Sequence, residues 1–197
     1  MALTQLVLAT GNAHKLREVR QILGDRFEIL SQQEAGFDGE VEEDGATFEE
    51  NALKKAQAVA DALSLPALAD DSGLEVDALS GAPGVHSARY CGVHGRDDLN
   101  NEKLLRELDG LPPERRTARY VCAMALVRPG LPPVVTRGTM EGRIGSAYRG
   151  TGGFGYDPLF ITTGGRTAAE LTPEEKNAVS HRGQALRLLR QALEDRP

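Results

Sequence analysis

Two long runs without a helical repeat, Thr117–Arg128 and Val134–Ile144, flank the dipeptide Pro129-Gly130. Strand segments joined by so short a turn have to pair antiparallel, so the chain is expected to contain a long hairpin. The first third of the chain asks for the opposite arrangement. Gln5–Ala9 is a short apolar strand followed by Thr10-Gly11-Asn12, after which Leu16, Val19 and Leu23 recur at helical spacing up to Gly24. Phe27–Leu30 reads as a second strand. Thr47-x-x-Glu50 is a capping box opening a helix with Leu53, Ala56, Ala60 and Leu63, which ends before Pro66. Strand-helix units of this kind feed parallel pairs. Both demands are met by an α/β fold with a mixed sheet.

Further along, Leu65–Ala69 reads as a buried strand running into Asp70-Asp71-Ser72-Gly73, and Leu74–Leu79 continues as extended chain or another short strand. Asp98–Leu108 reads as a helix stopped by Gly110 and Pro112-Pro113, and Tyr156–Ile161 as a strand. Thr172-Pro173-x-Glu175 opens a short helix, and the last helix starts near Ser180 and carries Leu186, Leu189 and Leu193. The 197 residues suit a single folding unit or two small lobes.

Composition narrows the function classes. No apolar run approaches the ~18 to 20 residues needed to cross a bilayer, and Met1–Ala9 lacks the basic start of a signal peptide, so a cytoplasmic protein without membrane contacts is expected. The two cysteines, Cys91 and Cys122, have no CxxC spacing. A net charge of −6 argues against a nucleic-acid surface. Much of the acidity lies in residues 34–50, with Glu34, Asp38, Glu40, Glu42, Glu43, Asp44, Glu49 and Glu50 and no Lys or Arg. Such a run suits a solvated loop leading into an acid-rich helix start, from which one or two members are available to hold a cation.

Four junctions could carry chemistry. Thr10-Gly11-Asn12-Ala13-His14-Lys15 places a glycine and a lysine at a helix N-terminus, where phosphate oxygens fit, although an ordinary strand-helix turn has the same look. The Walker pattern is absent, which disfavours a P-loop enzyme. Asp70-Asp71 at the end of an apolar strand could place one oxygen on a hard cation and one on a water, or simply shape an Asp-Ser-Gly turn. Magnesium is the natural ion for carboxylates, whereas His86 and His94 are too isolated to suggest zinc. Gly150-Thr151-Gly152-Gly153-Phe154-Gly155 matches GxGxxG but lacks the strand-then-helix context of a dinucleotide site, and reads as a flexible substrate loop. Phe154 and Tyr156 could stack on a planar base or plug the core. Ser180-His181-Arg182 sets a cap, an imidazole and a guanidinium at a helix start, with or without a ligand.

Taken together, TGNAHK (10–15), TFEENALKKA (47–56), ALADDSGLEVDALSGAPGVHSARY (67–90), GTGGFGYDPLF (150–160) and TAAELTPEEKNAVSHRGQAL (167–186) resemble, in order, the motifs of the inosine triphosphate pyrophosphatase family. The resemblance spans nearly the whole chain. It implies an elongated mixed sheet with flanking helices, a single pyrophosphatase domain of two lobes enclosing an active-site cleft, and a homodimer. The implied reaction is magnesium-dependent hydrolysis of ITP, dITP and XTP to the monophosphate and pyrophosphate. The matching positions assign Thr10, Gly11, Asn12 and Lys15 to the triphosphate, with Ala13 and His14 at the variable places of that segment and Lys55 as a further cation. Glu43 and Asp71 match the magnesium ligands, Asp71 also matches the residue that activates water, and Ser72 lies beside the substrate. Phe154, Gly155, Tyr156 and Asp157 match the base-binding loop, with Lys176, His181 and Arg182 as remaining nucleobase contacts. The alternatives are a non-catalytic nucleotide sensor on the same scaffold and a related pyrophosphatase for pyrimidine or modified nucleotides. Asp71, Lys15 and Lys55 count against the first, Phe154 and Arg182 against the second.

Overall fold

The structure is a computed structural model that describes residues 3–194. Its strands are β1 (Thr4–Leu8), β2 (Phe27–Ser31), β3 (Ala67–Val76), β4 (Thr117–Val127), β5 (Val134–Ile144) and β6 (Phe160–Thr162), and they form one sheet in the order β2-β1-β3-β4-β5-β6. β1 lies parallel to β2, with Leu6 opposite Ile29, and parallel to β3, with Val7 opposite Ala67. β5 and β6 are antiparallel, with Arg143 opposite Ile161. The sheet is therefore mixed, as the hairpin and the strand-helix units together require.

The helices are α1 (Ala13–Leu23), α2 (Phe48–Leu63), α3 (Asp97–Glu107), α4 (Pro173–Val179) and α5 (His181–Glu194). Their starts are set by local chemistry. Asn12 caps α1 by accepting from the N–H groups of His14 and Lys15, and both arms of a capping box are made by Thr47 with Glu50 on α2 and by Thr172 with Glu175 on α4. None of the helices among the described residues is long and apolar enough to cross a membrane.

Two compact units share these elements. The first contains the described chain up to Asp71, Cys122–Gly138 and the segment from Arg182 onward; the second contains Ser72–Val121 and Thr139–His181. β3, β4 and β5, of 10, 11 and 11 residues, are about twice the usual strand length and contribute residues to both. In the first unit Leu6, Leu8, Leu68, Met124 and Leu126 of the sheet pack with Val19 and Leu23 of α1 and Leu186 and Leu189 of α5. The second unit has its own core of Leu74, Val76, Leu104, Leu108, Tyr120, Met140, Ile144, Tyr156 and Phe160.

The structure decides against one alternative and corrects two expectations. Asp70-Asp71-Ser72-Gly73 is not a turn, because β3 runs through it without interruption. The extended chain ends at Val76, and Asp77–Leu79 is a single 3-10 turn with Ser80 in the left-handed region at φ 53°. Tyr156–Pro158 is not strand. Tyr156 O accepts from the N–H groups of Leu159 and Phe160, winding the segment into a turn, so that only Phe160–Thr162 joins the sheet.

Candidate active site

The first unit gathers carboxylates and cations at the end of its buried part of β3. Successive strand residues face opposite ways, and Asp70 and Asp71 find different partners accordingly. Asp70, only 2% exposed, receives the Lys15 ammonium of α1 at 2.8 Å and the Arg182 guanidinium of α5 at 3.4 Å. Burial pushes its carboxyl up, but the charges of Lys15, Arg182 and Lys55 outweigh that and hold it well below the usual carboxylate range. Arg182 is itself buried and binds Glu18 of α1 at 2.6 Å, giving the chain of opposite charges Glu18, Arg182, Asp70, Lys15. The buried Cys122 thiol is 4.0 Å from Asp70; burial, then the Asp70 charge, push it up to about 12, so it stays protonated.

Asp71 faces α2. Its Oδ2 accepts from Asn51 Nδ2 at 2.9 Å, and its Oδ1 lies 3.9 Å from the Lys55 ammonium, which also binds Glu43 at 2.9 Å. Two carboxylates thus converge on one cationic centre. Burial nevertheless raises the Asp71 carboxyl above its ordinary range against the pull of Lys55 and Asn51, and the nearby Glu43 charge adds to the rise. The two carboxylates offer hard oxygen donors side by side, a set that fits a hard divalent cation. Among the described residues no group of three or more His, Cys, Asp or Glu is placed to hold a metal. A cation held by two carboxylates completes its shell with water or phosphate oxygens, the habit of magnesium.

Asn51 gives no sequence signal of chemistry beyond being a polar residue among Phe48, Ala52 and Ala56 on the inner face of α2. Its Oδ1 accepts from the Gly45 N–H at 2.8 Å while its Nδ2 holds Asp71, so it ties the acidic loop to the middle of β3. A Cβ on Gly45 would sit 2.7 Å from that same Oδ1, which explains the glycine. Asn51→Leu is expected to lower stability by ~1–3 kcal/mol, because two groups lose their partner together. The midpoint of urea unfolding measures it, and an unchanged midpoint would remove Asn51 from this role. Three further members of the acidic run pair with cations outside it, Glu34 with Arg20, Asp44 with Lys54 and Glu49 with Arg137, while Glu50 is used in the capping box of α2.

At the start of α1, Thr10 Oγ1 accepts from the Asn12 N–H, and a Cβ on Gly11 would meet nothing within 4 Å. The His14 and Lys15 amides are turned onto Asn12, so the strongest group this segment offers an anion is the Lys15 side chain.

The second unit carries a different constellation. Asp157, buried at 2% exposure, accepts from Tyr120 Oη at 3.2 Å, from the Phe154 N–H at 2.9 Å and from Lys176 Nζ at 2.5 Å. The Lys176 ammonium lies 5.0 Å from the centre of the Phe154 ring, which is 40% exposed. His181 stacks on Tyr120 at 4.9 Å between ring centres. Tyr156 plugs the core, its Oη donating to the Ser87 carbonyl at 2.8 Å, which leaves Phe154 as the aromatic face of this loop. The glycine-rich segment is more firmly held than expected. Gly152 donates to the Ala169 carbonyl, and a Cβ on Gly153 would collide with Asp157 Oδ2 at 2.0 Å. The expected site residues therefore fall into two groups, with Thr10–Lys15, Glu43, Lys55, Asp71 and Arg182 in the first unit and Ser72, Phe154–Asp157, Lys176 and His181 in the second.

Comparison with known proteins places this arrangement. The model of the Ham1 family matches residues 6–192. The chain belongs to the Ham1 family. It is 56% identical over 193 residues to a dITP/XTP pyrophosphatase of Geobacter sulfurreducens, covering 97% of each chain, and 51% identical to one of Geobacillus kaustophilus, covering 97% of this chain and 95% of that one. The Ham1 protein of Staphylococcus aureus superposes with a TM-score of 0.90 at 40% identity, over 98% of this chain and 100% of that one. A structure described as nucleoside-triphosphatase / dITP/XTP pyrophosphatase from Mycobacterium abscessus gives 0.80 at 48% identity, over 94% and 98%. Membership agrees with the resemblance carried by the five motifs.

Proposed function

We propose that this Ham1-family chain is a nucleoside triphosphate pyrophosphatase that hydrolyses dITP, XTP and ITP to the nucleoside monophosphate and pyrophosphate, removing deaminated purines from the nucleotide pool. The observation that carries the proposal is the Lys55 ammonium shared by Glu43 and Asp71 beside the buried Asp70–Lys15 pair. Cations held in place by carboxylates are what a polyanionic leaving group needs, and relatives half-identical along the chain bear the matching name.

Glu43 and Asp71 would hold magnesium, which when bound supplies positive charge to the phosphate oxygens. Asp71 takes the proton of the attacking water. The water oxygen bonds to the α-phosphorus, the bridging bond to the β-phosphate breaks, and pyrophosphate departs. Lys15 and Lys55 neutralise the leaving group, and Thr10, Gly11 and Asn12 shape the turn that presents Lys15. Ser72 follows Asp71 on the strand. Phe154 gives the base a flat face, Lys176 is aimed by Asp157 toward the same ring, and His181 and Arg182 supply donors to a 6-keto oxygen. An adenine amine facing those donors leaves them unpaired, at ~1–3 kcal/mol each, so ATP is a poor substrate. Both units belong to one domain, and the enzyme works as a cytoplasmic homodimer without nucleic-acid or membrane partners.

The test is product analysis on a panel of nucleoside triphosphates with magnesium. Monophosphate and pyrophosphate from dITP, XTP and ITP, with little from ATP or the pyrimidines, is expected; release of single phosphates, or no turnover, would overturn the proposal. Lys15→Ala and Lys55→Ala should each lower kcat/KM by about 10- to 150-fold, the value of a charge-assisted contact of ~1.5–3 kcal/mol. The loss should be the same for every base, because phosphate contacts carry no base information. A change in the ITP-to-ATP preference larger than the change in rate would show that the lysines do something else.

A further inference from the structure

We propose that Asp97 and Asn101 of α3 are positioning residues that set base selectivity by fixing the two peptide groups on either side of Gly155. Asp97 Oδ2 accepts from the Gly155 N–H at 2.8 Å, and Asn101 Nδ2 donates to the Gly155 carbonyl at 2.9 Å. Four residues apart, the two side chains leave the same face of the helix. Gly155 is in the left-handed region at φ 61° and separates the exposed Phe154 ring from the Tyr156 ring buried in the core. With Phe154 N–H also tied to Asp157 Oδ2, the backbone of Phe154 is bracketed by bonds on both sides, and α3 supplies one bracket. The direction of the aromatic face thus depends on residues more than fifty positions away in sequence.

Stability alone does not account for Asn101. The residue is 3% exposed, and its Oδ1 is buried with no hydrogen-bond donor among the described residues. A buried acceptor left unpaired weakens the fold, and polar groups kept against such a cost are characteristic of sites that need a particular geometry. The bond that Asn101 does make is the one to the Gly155 carbonyl.

The proposal rests on Phe154–Asp157 being the base-facing loop of the pyrophosphatase, so its test has one readout that does not need that function. In Asp97→Ala, amide hydrogen exchange at Gly155 in the protein alone should quicken by about 2- to 10-fold, the loss of one net hydrogen bond. In Asp97→Ala and Asn101→Leu the ratio of kcat/KM for ITP over ATP should fall by about 2- to 10-fold. Asp97→Asn keeps an acceptor oxygen and should restore both to near the wild-type values. Unchanged Gly155 exchange in Asp97→Ala would overturn the clamp, and an unchanged ratio with a uniform fall in rate would reduce both residues to structural supports. If Asn101→Leu does not fold, the Asp97 pair decides, since that side chain is exposed. A wild-type enzyme with no preference for ITP would overturn the function instead, and the exchange measurement would still decide the clamp.

Discussion

Asp71→Asn is expected to lower turnover by about two to four orders of magnitude while the protein melts no earlier than the wild type. The loss follows from removing a proton acceptor, worth ~10²–10⁴ in rate, together with a charged ligand for the cation. The stability expectation has its own cause. The amide can still accept from Asn51 Nδ2, which lies 2.9 Å from Asp71 Oδ2, and Lys55 keeps Glu43 at 2.9 Å. Burial raises the Asp71 carboxyl above its ordinary range. A folded-state pKa above the unfolded one means that stability is lost as pH rises through it, so at neutral pH the ionised Asp71 opposes folding and the neutral amide does not. Loss of activity without loss of stability would set the two against one another at this residue. Turnover within threefold of wild type would remove Asp71 from the mechanism, and a fall in melting temperature as large as the one expected below for Arg182 would make it a structural residue.

The parts of this molecule legible in the sequence are those decided by neighbours in the chain. Asn12, Thr47 with Glu50, and Thr172 with Glu175 announce helix starts because their partners lie within a turn. The hairpin strands are visible for the same reason. What escaped depends on pairing at a distance. Arg182 and Asp70 are 112 positions apart and Arg182 and Glu18 are 164, and no local pattern reports such a match. Tyr156 shows why periodicity failed at the loop. An aromatic four residues before Phe160 reads as part of one strand with it, yet the Asp157 carboxylate captures the Phe154 amide and the segment winds into a turn. Asn51 and Asn101 did leave a trace. Each is a polar residue on the buried face of a helix, and Asn101 precedes Leu104 and Leu108 at helical spacing, a mismatch that marks a side chain with a task.

Arg182→Met is expected to destabilise the protein by ~3–5 kcal/mol, the usual result of deleting one partner of a buried ion pair. For a chain of this size that lowers the melting temperature by about 6–20 °C. Burial disfavours the Arg182 cation, but the charges of Asp70 and Glu18 keep it protonated well above the ordinary range, and the two carboxylates anchor the guanidinium. Without it, Asp70 retains Lys15 at 2.8 Å but loses its second contact, and Glu18 loses the partner 2.6 Å away. Methionine fills the volume and isolates the charge as the cause. Adding Glu18→Gln to Arg182→Met removes one of the two stranded charges and should recover part of the loss, a coupling that a double-mutant cycle reads directly. Well below the melting range, the same variant should also show a smaller kcat/KM ratio for ITP over ATP, because Arg182 is the donor-only group assigned to the keto oxygen. A uniform drop across bases would leave Arg182 as the anchor of Asp70 alone, and selectivity would then rest on Phe154, Lys176 and His181.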